Sequence, residues 1–450
     1  MDYREFIETK SQLSGNFGFK PLFVPDYLFD FQKHLVEWAL MKGRSAIFAD
    51  CGLGKTPISL VFAQNIVEKT NKNVLILTPL AVTHQFEKEG VKFNVECKKS
   101  RNGKANGKIT VTNYQQLEKF DSNDFVGCVC DESSAIKNFT GQTKKNVTRF
   151  MNKMPYRLCG TATPSPNDYV ELGTTSEALG DLACMDMCSQ FFRDTSNDKN
   201  PQWSTPKYEL KGHAISDFWR WVSSWARACR KPSDLGYNDK EFILPDLVEH
   251  EHVIDCTKPL PGELFPKVAK TLNDQRNERK ATINERIEKV NNLCEKHSLS
   301  VIWAHYNYET DMLEKEIKDS VQVSGSDSDD QKEEKFIAFG KGEIKRLITK
   351  PRIGAWGLNW QHCNHMTFFP SHSYEQYYQG VRRCWRFGQK RKVNVDIITT
   401  NGEAAVSSNI KRKSHDAEIM FEKLVEYMNN ELLINKKEFI KNKLELPHWL

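Results

Sequence analysis

A short strand that runs into a glycine turn and then into a helix constrains this chain most. Residues 45–70 read SAIFADCGLGKTPISLVFAQNIVEKT. The run SAIFA (45–49) suits a buried strand, and after Lys55 and Thr56 the apolar residues recur at helical spacing. Gly52 and Gly54 let the backbone N–H groups of the turn point inward with no Cβ in the way. The first N–H groups of the helix have no internal partner, and the helix dipole adds positive potential there, so the turn is a phosphate cradle. Lys55 has the reach for the β- and γ-phosphates, and the Thr56 hydroxyl is placed to ligand Mg2+. Ala49 stands where the full pattern has Gly.

The rest of the chain repeats the alternation. NVLILTP (73–79), KITVTN (108–113), GCVCD (127–131) and YRLCGTA (156–162) read as further strands of a parallel sheet covered by helices. A polar, Pro-containing stretch then leads to SDFWRWVSSWARACRK, where Trp219, Trp221 and Trp225 either stack on bases or pack a small helix onto the first domain. Residues 264–298 read as a long exposed helix. Alternation restarts with SVIWAH (300–305), SVQVSG (320–325), RLITK (346–350), HMTFFP (365–370) and VNVDIIT (393–399). The expected division is a first α/β domain over 1–172, a Trp-rich helical insertion over 173–257, a second α/β domain over 258–405 and a helical tail over 406–450.

A cradle binds, but hydrolysis needs more. The apolar strand before SSAIKN ends in Asp131 and Glu132. Asp131 is expected to hold Mg2+, usually through water, and Glu132 to polarise the attacking water as general base. Positive charge for the transferring phosphoryl group is offered by QYYQGVRRCWRFGQK (376–390), where the spacing puts Gln379, Arg383 and Arg386 on one helical face. A basic patch for a phosphate backbone is the other reading of those arginines.

Composition narrows the setting. With 450 residues, 39% hydrophobic, 27% charged and a net charge of +5, the chain is an ordinary globular protein that permits an anionic partner without demanding one. The 12 cysteines are scattered singly, the start MDYREFIETK lacks an apolar leader core, and no run of eighteen apolar residues exists. The expectation is a reduced cytoplasmic protein, not secreted and not in a membrane. CMDMC (184–188), EHEH (249–252) and HCNH (362–365) lack zinc spacing and read as buried thiols and surface or core imidazoles.

The ordered motifs resemble superfamily 2 helicase-type ATPases, nearest to the Swi/Snf-type double-stranded DNA translocases. LFDFQKHLVEWAL (28–40) resembles the glutamine motif, ADCGLGKT motif I, LILTPLAVTHQFEKE motif Ia and ITVTNYQQL the next DNA-facing segment. DESSAIKN resembles motif II and LCGTATPSPND motif III. VIWAHYNYETDMLE, ITKPRIGAWGLNWQ and QGVRRCWRFGQKRKV resemble motifs IV, V and VI. The resemblance spans roughly residues 28 to 400. It implies two tandem RecA-like lobes, with ATP and Mg2+ held by Gln32, Gly52, Leu53, Gly54, Lys55, Thr56, Asp131 and Glu132 of the first. From the second it implies Gly357, Gln379, Arg383 and Arg386. Gln32 is the residue expected to read adenine. Motif II departs from the family: Ser133 and Ser134 stand where relatives carry a small residue and a His, which bears on coupling rather than on hydrolysis.

The implied partner is DNA, duplex favoured, with RNA open. Expected backbone contacts are Thr78, Pro79, Thr112, Asn113, Tyr114 and Thr349, with the basic segments 98–108 and 390–393 as further possibilities. The region 173–257 or the tail offers a surface for a protein partner. Three functions compete: a double-stranded DNA translocase, a strand-separating helicase for replication, recombination or repair, and an ATP-gated nucleic-acid-binding switch with weak turnover. A compact motor of a bacterial or phage-infected cell is the setting that fits its size.

Overall fold

Apolar runs too short for helices become strands buried on both faces, which is what a parallel sheet between helical layers requires. The computed structural model describes residues 15–195, 208–255, 272–354 and 359–437. By its contacts the chain divides into two units. The first comprises Met1–Thr78, Glu89–Asp239 and Ala417–Leu450, and the second Pro79–Lys88 with Lys240–Asp416.

In the first unit, β1 (Arg44–Ala49), β2 (Asn73–Thr78), β3 (Lys98–Lys99), β4 (Ile109–Asn113), β5 (Phe125–Asp131), β6 (Tyr156–Gly160) and β9 (Ala226–Cys229) form one sheet in the order β3-β4-β2-β5-β6-β1-β9. Every pairing in it is parallel. A separate antiparallel ribbon joins β7 (Phe192–Asp194) to β8 (Tyr208–Leu210). The five strands expected here from sequence all form.

The second unit carries a six-stranded parallel sheet. Its members are β10 (Leu247–Ile254), β11 (Ser300–Trp303), β12 (Ser320–Val323), β13 (Arg346–Thr349), β14 (His365–Phe368) and β15 (Val393–Thr400), in the order β10-β15-β14-β11-β13-β12. The architecture is therefore α/β, two tandem RecA-like lobes, as expected.

The stretch 173–257 is divided between the two sheets. The helix Ile215–Trp225 buries Phe218, Trp219, Trp221, Val222 and Trp225, and β9 then pairs with β1. The tryptophans are core, at 2%, 1% and 0% exposure for Trp219, Trp221 and Trp225, so no ring face is presented for stacking on bases. Arg227 sits in a strand because its guanidinium lies 4.4 Å over the Trp38 ring and donates to the Ser223 carbonyl. The EHEH stretch lies in β10, which pairs with β15 across eight residues.

One further expectation changes. The described part of 264–298 forms two helices, Leu272–Ala281 and Ile283–Cys294, broken at Thr282 and burying Arg279, Ile283, Arg286, Ile287, Val290 and Cys294. It is half core, because its apolar residues face the sheet. The tail forms the helix Ala404–Lys437, and residues 438–450 of the expected tail lie outside the described residues. No helix of the described residues is long and apolar enough to cross a membrane.

Candidate ATP site of the first unit

The strand order places the site. β6 lies between β5 and β1, so the glycine turn after β1 and the carboxylates ending β5 flank the end of β6. Gly52 and Gly54 take φ of 92° and 80°, the left-handed region that favours glycine, and the helix Lys55–Thr70 starts at once. The turn has no room to spare: a Cβ on Gly54 would lie 2.3 Å from Gln32 Nε2. Gln32 is buried and its amide spans two elements. Its Oε1 accepts from the Phe29 N–H at 3.1 Å and its Nε2 donates to the Leu53 carbonyl at 2.9 Å. Gln32 therefore braces the turn.

Lys55 folds back over the turn and donates to the Ala49 and Asp50 carbonyls at 2.8 and 3.3 Å. Its aliphatic stem passes over Gly160, where a Cβ would lie 3.9 Å from Lys55 Cδ. Gly160 is the register partner of Asp131. The lysine and the first carboxylate thus converge on the same strand end, although they are far apart in sequence.

Glu132 is the unusual residue. Its φ and ψ are 58° and 59°, left-handed for a residue with a full side chain, a conformation that costs about 1–2 kcal/mol. Its carboxylate accepts from the Ser134 hydroxyl at 3.0 Å and from the Thr161 hydroxyl. The Tyr114 hydroxyl donates to the Asp131 carbonyl at 2.8 Å, with the Glu132 carbonyl at 3.4 Å. Burial, with Cys130 and Asp131 adding to it, pushes the Tyr114 phenol well above its ordinary value, so it stays a donor.

The donor set fits a triphosphate with Mg2+. Thr56, Asp131 and Glu132 offer the hard oxygens that Mg2+ takes, and the glycine turn offers backbone N–H groups beside a lysine. Buried Thr112, Ser133 and Thr163 each carry a hydroxyl oxygen without a partner within the fold.

The other expected site residues are distributed as follows. Thr78 and Asn113 are register partners at the end of β2 and β4, and both are buried. The Asn113 side chain caps the turn Tyr114–Lys119 by accepting from the Gln116 N–H at 3.1 Å. Thr112 is buried, Tyr114 is committed to Asp131, and Pro79 is half-buried. In the second unit Thr349 donates to the Val323 carbonyl at 3.1 Å. Gly357 lies outside the described residues.

The single helical face expected for Gln379, Arg383 and Arg386 does not form. The helix Tyr374–Val381 holds Gln379 and ends before both arginines, which lie in the turns that follow. Arg383 is nevertheless tied to Gln379, donating from Nε to its carbonyl and from Nη2 to its Oε1, each at 3.0 Å. Burial, with Arg386 nearby, draws the Arg382 guanidinium down to about 9.

Residues 31–175 match the family model of the SNF2-related domain. Over this segment the chain is similar to an SNF2-related domain. The segment contains the glycine turn, both carboxylates and Thr161, and a domain of this family implies an ATP-hydrolysing core of a nucleic-acid-dependent motor. Among solved structures, the chain is similar to the Sulfolobus solfataricus SWI2/SNF2 ATPase core, solved in complex with dsDNA. The identity is 17% over 90% of this chain and 98% of that one, at a TM-score of 0.42. No curated protein matches the chain. The sequence pointed to the Glu132 carboxylate but not to the Ser134 and Thr161 hydroxyls that bond it. The hydroxyl residues within motifs II and III were the available signal.

Proposed function

We propose that this chain is an ATP-driven motor on nucleic acid, and specifically a double-stranded DNA translocase. The observation that carries the reading is the convergence of Lys55, Asp131 and Glu132 at the end of β6 within the segment similar to an SNF2-related domain. Lys55 exchanges its two loop carbonyls for phosphate oxygens, and the helix N-terminus at Lys55–Thr56 binds the same phosphates. Thr56 and Asp131 would hold Mg2+, which neutralises developing phosphate charge when bound. Glu132 takes the proton of the attacking water. Gln32 reads the adenine edge, with Gly52, Leu53, Gly54, Gly357 and Gln379 as further nucleotide contacts. Arg383 and Arg386 of the second unit stabilise the transferring phosphoryl group.

Thr78, Pro79, Thr112, Asn113, Tyr114 and Thr349 are proposed to face the DNA backbone at the strand ends. Since most of these side chains are buried or already bonded, backbone N–H groups are the better donors there. The duplex preference rests on the R-x-x-R-x-G-Q ending at Arg383 and Arg386, the form that resembles the translocase branch. The decisive test pairs Glu132→Gln with an ATP-binding assay. Retained ATP binding with no turnover supports the assignment; normal turnover overturns it.

A further inference from the structure

Glu132 is expected to act as a base, yet the fold holds it in a conformation that its own backbone disfavours. Strain of this kind persists only where surrounding groups over-determine it. Three hydroxyls do so, and each comes from a different place. Ser134 lies two residues on, Thr161 follows the end of β6, and Tyr114 follows the end of β4. The first two grip the carboxylate. The third grips the backbone, because its phenol reaches past β2, the strand that lies between β4 and β5. The Tyr114 ring is 8% exposed and belongs to the apolar core that includes Leu117, Cys130 and Ile136, so the hydroxyl is delivered from a fixed ring. Its amide belongs to the turn that Asn113 caps, at the strand end where Asn113 pairs with Thr78.

We propose that Tyr114 is a positioning residue that couples the nucleic-acid-facing edge at Asn113–Tyr114 to the general base, by holding the Asp131–Glu132 backbone in the left-handed conformation while Ser134 and Thr161 aim the carboxylate. This rests on the motor reading above. The Asp131–Glu132 backbone is the two-state element: left-handed with the phenol in place, and free to relax when the phenol moves. A backbone phosphate that fixes the 113–114 turn holds the phenol against the Asp131 carbonyl and with it the base. Ser134 and Thr161 share the same Glu132 oxygen, so the segments that follow β5 and β6 meet at the carboxylate.

Tyr114→Phe removes one oxygen and keeps the ring in the core, which makes it the sharp test. Steady-state ATPase is measured with and without duplex DNA, alongside DNA binding and thermal unfolding. The expected result is a fall of about tenfold or more in DNA-stimulated kcat, with the ratio of stimulated to basal turnover dropping towards one. The KM for ATP and the DNA concentration for half-maximal stimulation stay within about twofold. A retained ratio overturns the proposal. So does a loss of rate that tracks a loss of DNA affinity, because the phenol would then act through DNA binding rather than through the base. If Tyr114→Phe does not fold, Ser134→Ala decides: a lower kcat at unchanged half-saturation supports the clamp, and unchanged kcat overturns it. Wild-type protein without ATPase activity, or an active Lys55→Ala, defeats the motor reading instead, so the two failures are distinguishable.

Discussion

The two units share one architecture and treat the same end of the sheet in opposite ways. In the first, the strand ends after β1, β5 and β6 carry a glycine turn, two carboxylates and hydroxyls without partners within the fold. In the second, the strand ends after β11, β14 and β15 are filled by the chain's own charges. Arg279 is buried against Glu403, 3.9 Å from Glu309, and donates to the Pro370 carbonyl. Arg286 lies 3.3 Å from Glu403. Glu309 accepts from the His305 and Tyr306 N–H groups at 2.9 and 3.0 Å, and Glu403 from the Thr400 N–H at 3.1 Å. Burial works against the Arg279 charge, but Glu403 and Glu309 outweigh it and hold its pKa above the ordinary value. For Arg286 burial wins and the pKa falls. Among the described residues, the first strand edge carries a glycine turn beside its carboxylates, whereas the second is occupied by ion pairs that still leave Thr400 Oγ1 and Arg286 Nε and Nη1 without hydrogen-bond partners.

The buried polar ladder of the second unit makes the same point on its sheet. His252 on β10 lies 2.6 Å from Asp396 on β15, and His365 on β14 lies 3.0 Å from the other oxygen of that carboxylate. Ser300 on β11 meets His365 Nδ1 at 2.8 Å, and the His297 ring stacks on His365 at 3.9 Å. Burial pushes the Asp396 carboxyl up, yet the two histidines outweigh it and leave it below the usual range. A serine, histidine and aspartate in line here form a structural brace, since Ser300 and His365 are fully buried.

The largest effects expected from this contrast fall on turnover at the glycine-turn edge. Lys55→Ala and Glu132→Gln each lower ATP turnover by up to ~10⁴-fold, read by phosphate release. Glu132→Gln retains ATP, whereas activity in Lys55→Ala would remove the edge from the chemistry. Next, Arg386→Ala lowers kcat by about 10³-fold while sparing ATP affinity. Normal hydrolysis by that variant would confine the chemistry to the first unit.

The ion-paired edge responds through stability instead. Glu403→Ala leaves two buried guanidinium groups without their shared carboxylate and destabilises the second unit by about 3–5 kcal/mol in urea unfolding. A loss below about 1 kcal/mol would mean that water already enters the cluster.

Smaller still is the effect of acid. Burial draws His297 down to about 4, with His365 adding to it, and draws His305 down to about 3, with Arg279 and Arg352 adding to it. Both are neutral in the folded state and protonated in the unfolded chain below about pH 6.5. The unfolded state then binds more protons, so stability falls as pH drops from about 6.5 towards 4. Hydrogen exchange at pH 7.5 and 5 is expected to show the second unit opening first; earlier opening of the first unit would reverse the comparison.

What the sequence reveals differs in kind between the two edges. The glycine turn and the carboxylates were legible because each is local: a strand end, a turn and a helix start lie within a dozen residues. The ion-pair cluster was not, because Arg279, Glu309 and Glu403 are brought together only by folding. β9 was hidden because ARAC follows the Trp-rich helix without a turn residue between them. β10 was hidden because LVEHEHVI alternates charge with apolar residues, as an edge strand with a partly solvated side does. Spacing placed Arg383 and Arg386 on a helix, but that helix ends at Val381, and their placement is set by turns that periodicity does not describe. Glu132 was legible as a carboxylate, whereas its strained backbone and three hydroxyl partners were not.

The central claim is that the glycine-turn edge of the first unit hydrolyses ATP in response to duplex DNA. The direct test is steady-state ATPase of the full chain with no nucleic acid, single-stranded DNA, double-stranded DNA and RNA, beside Glu132→Gln. Strong stimulation by duplex DNA, absent in Glu132→Gln, is the predicted result. Stimulation by single strands or RNA alone would contradict the translocase assignment and favour a strand-separating helicase, and no stimulated turnover would leave an ATP-gated switch.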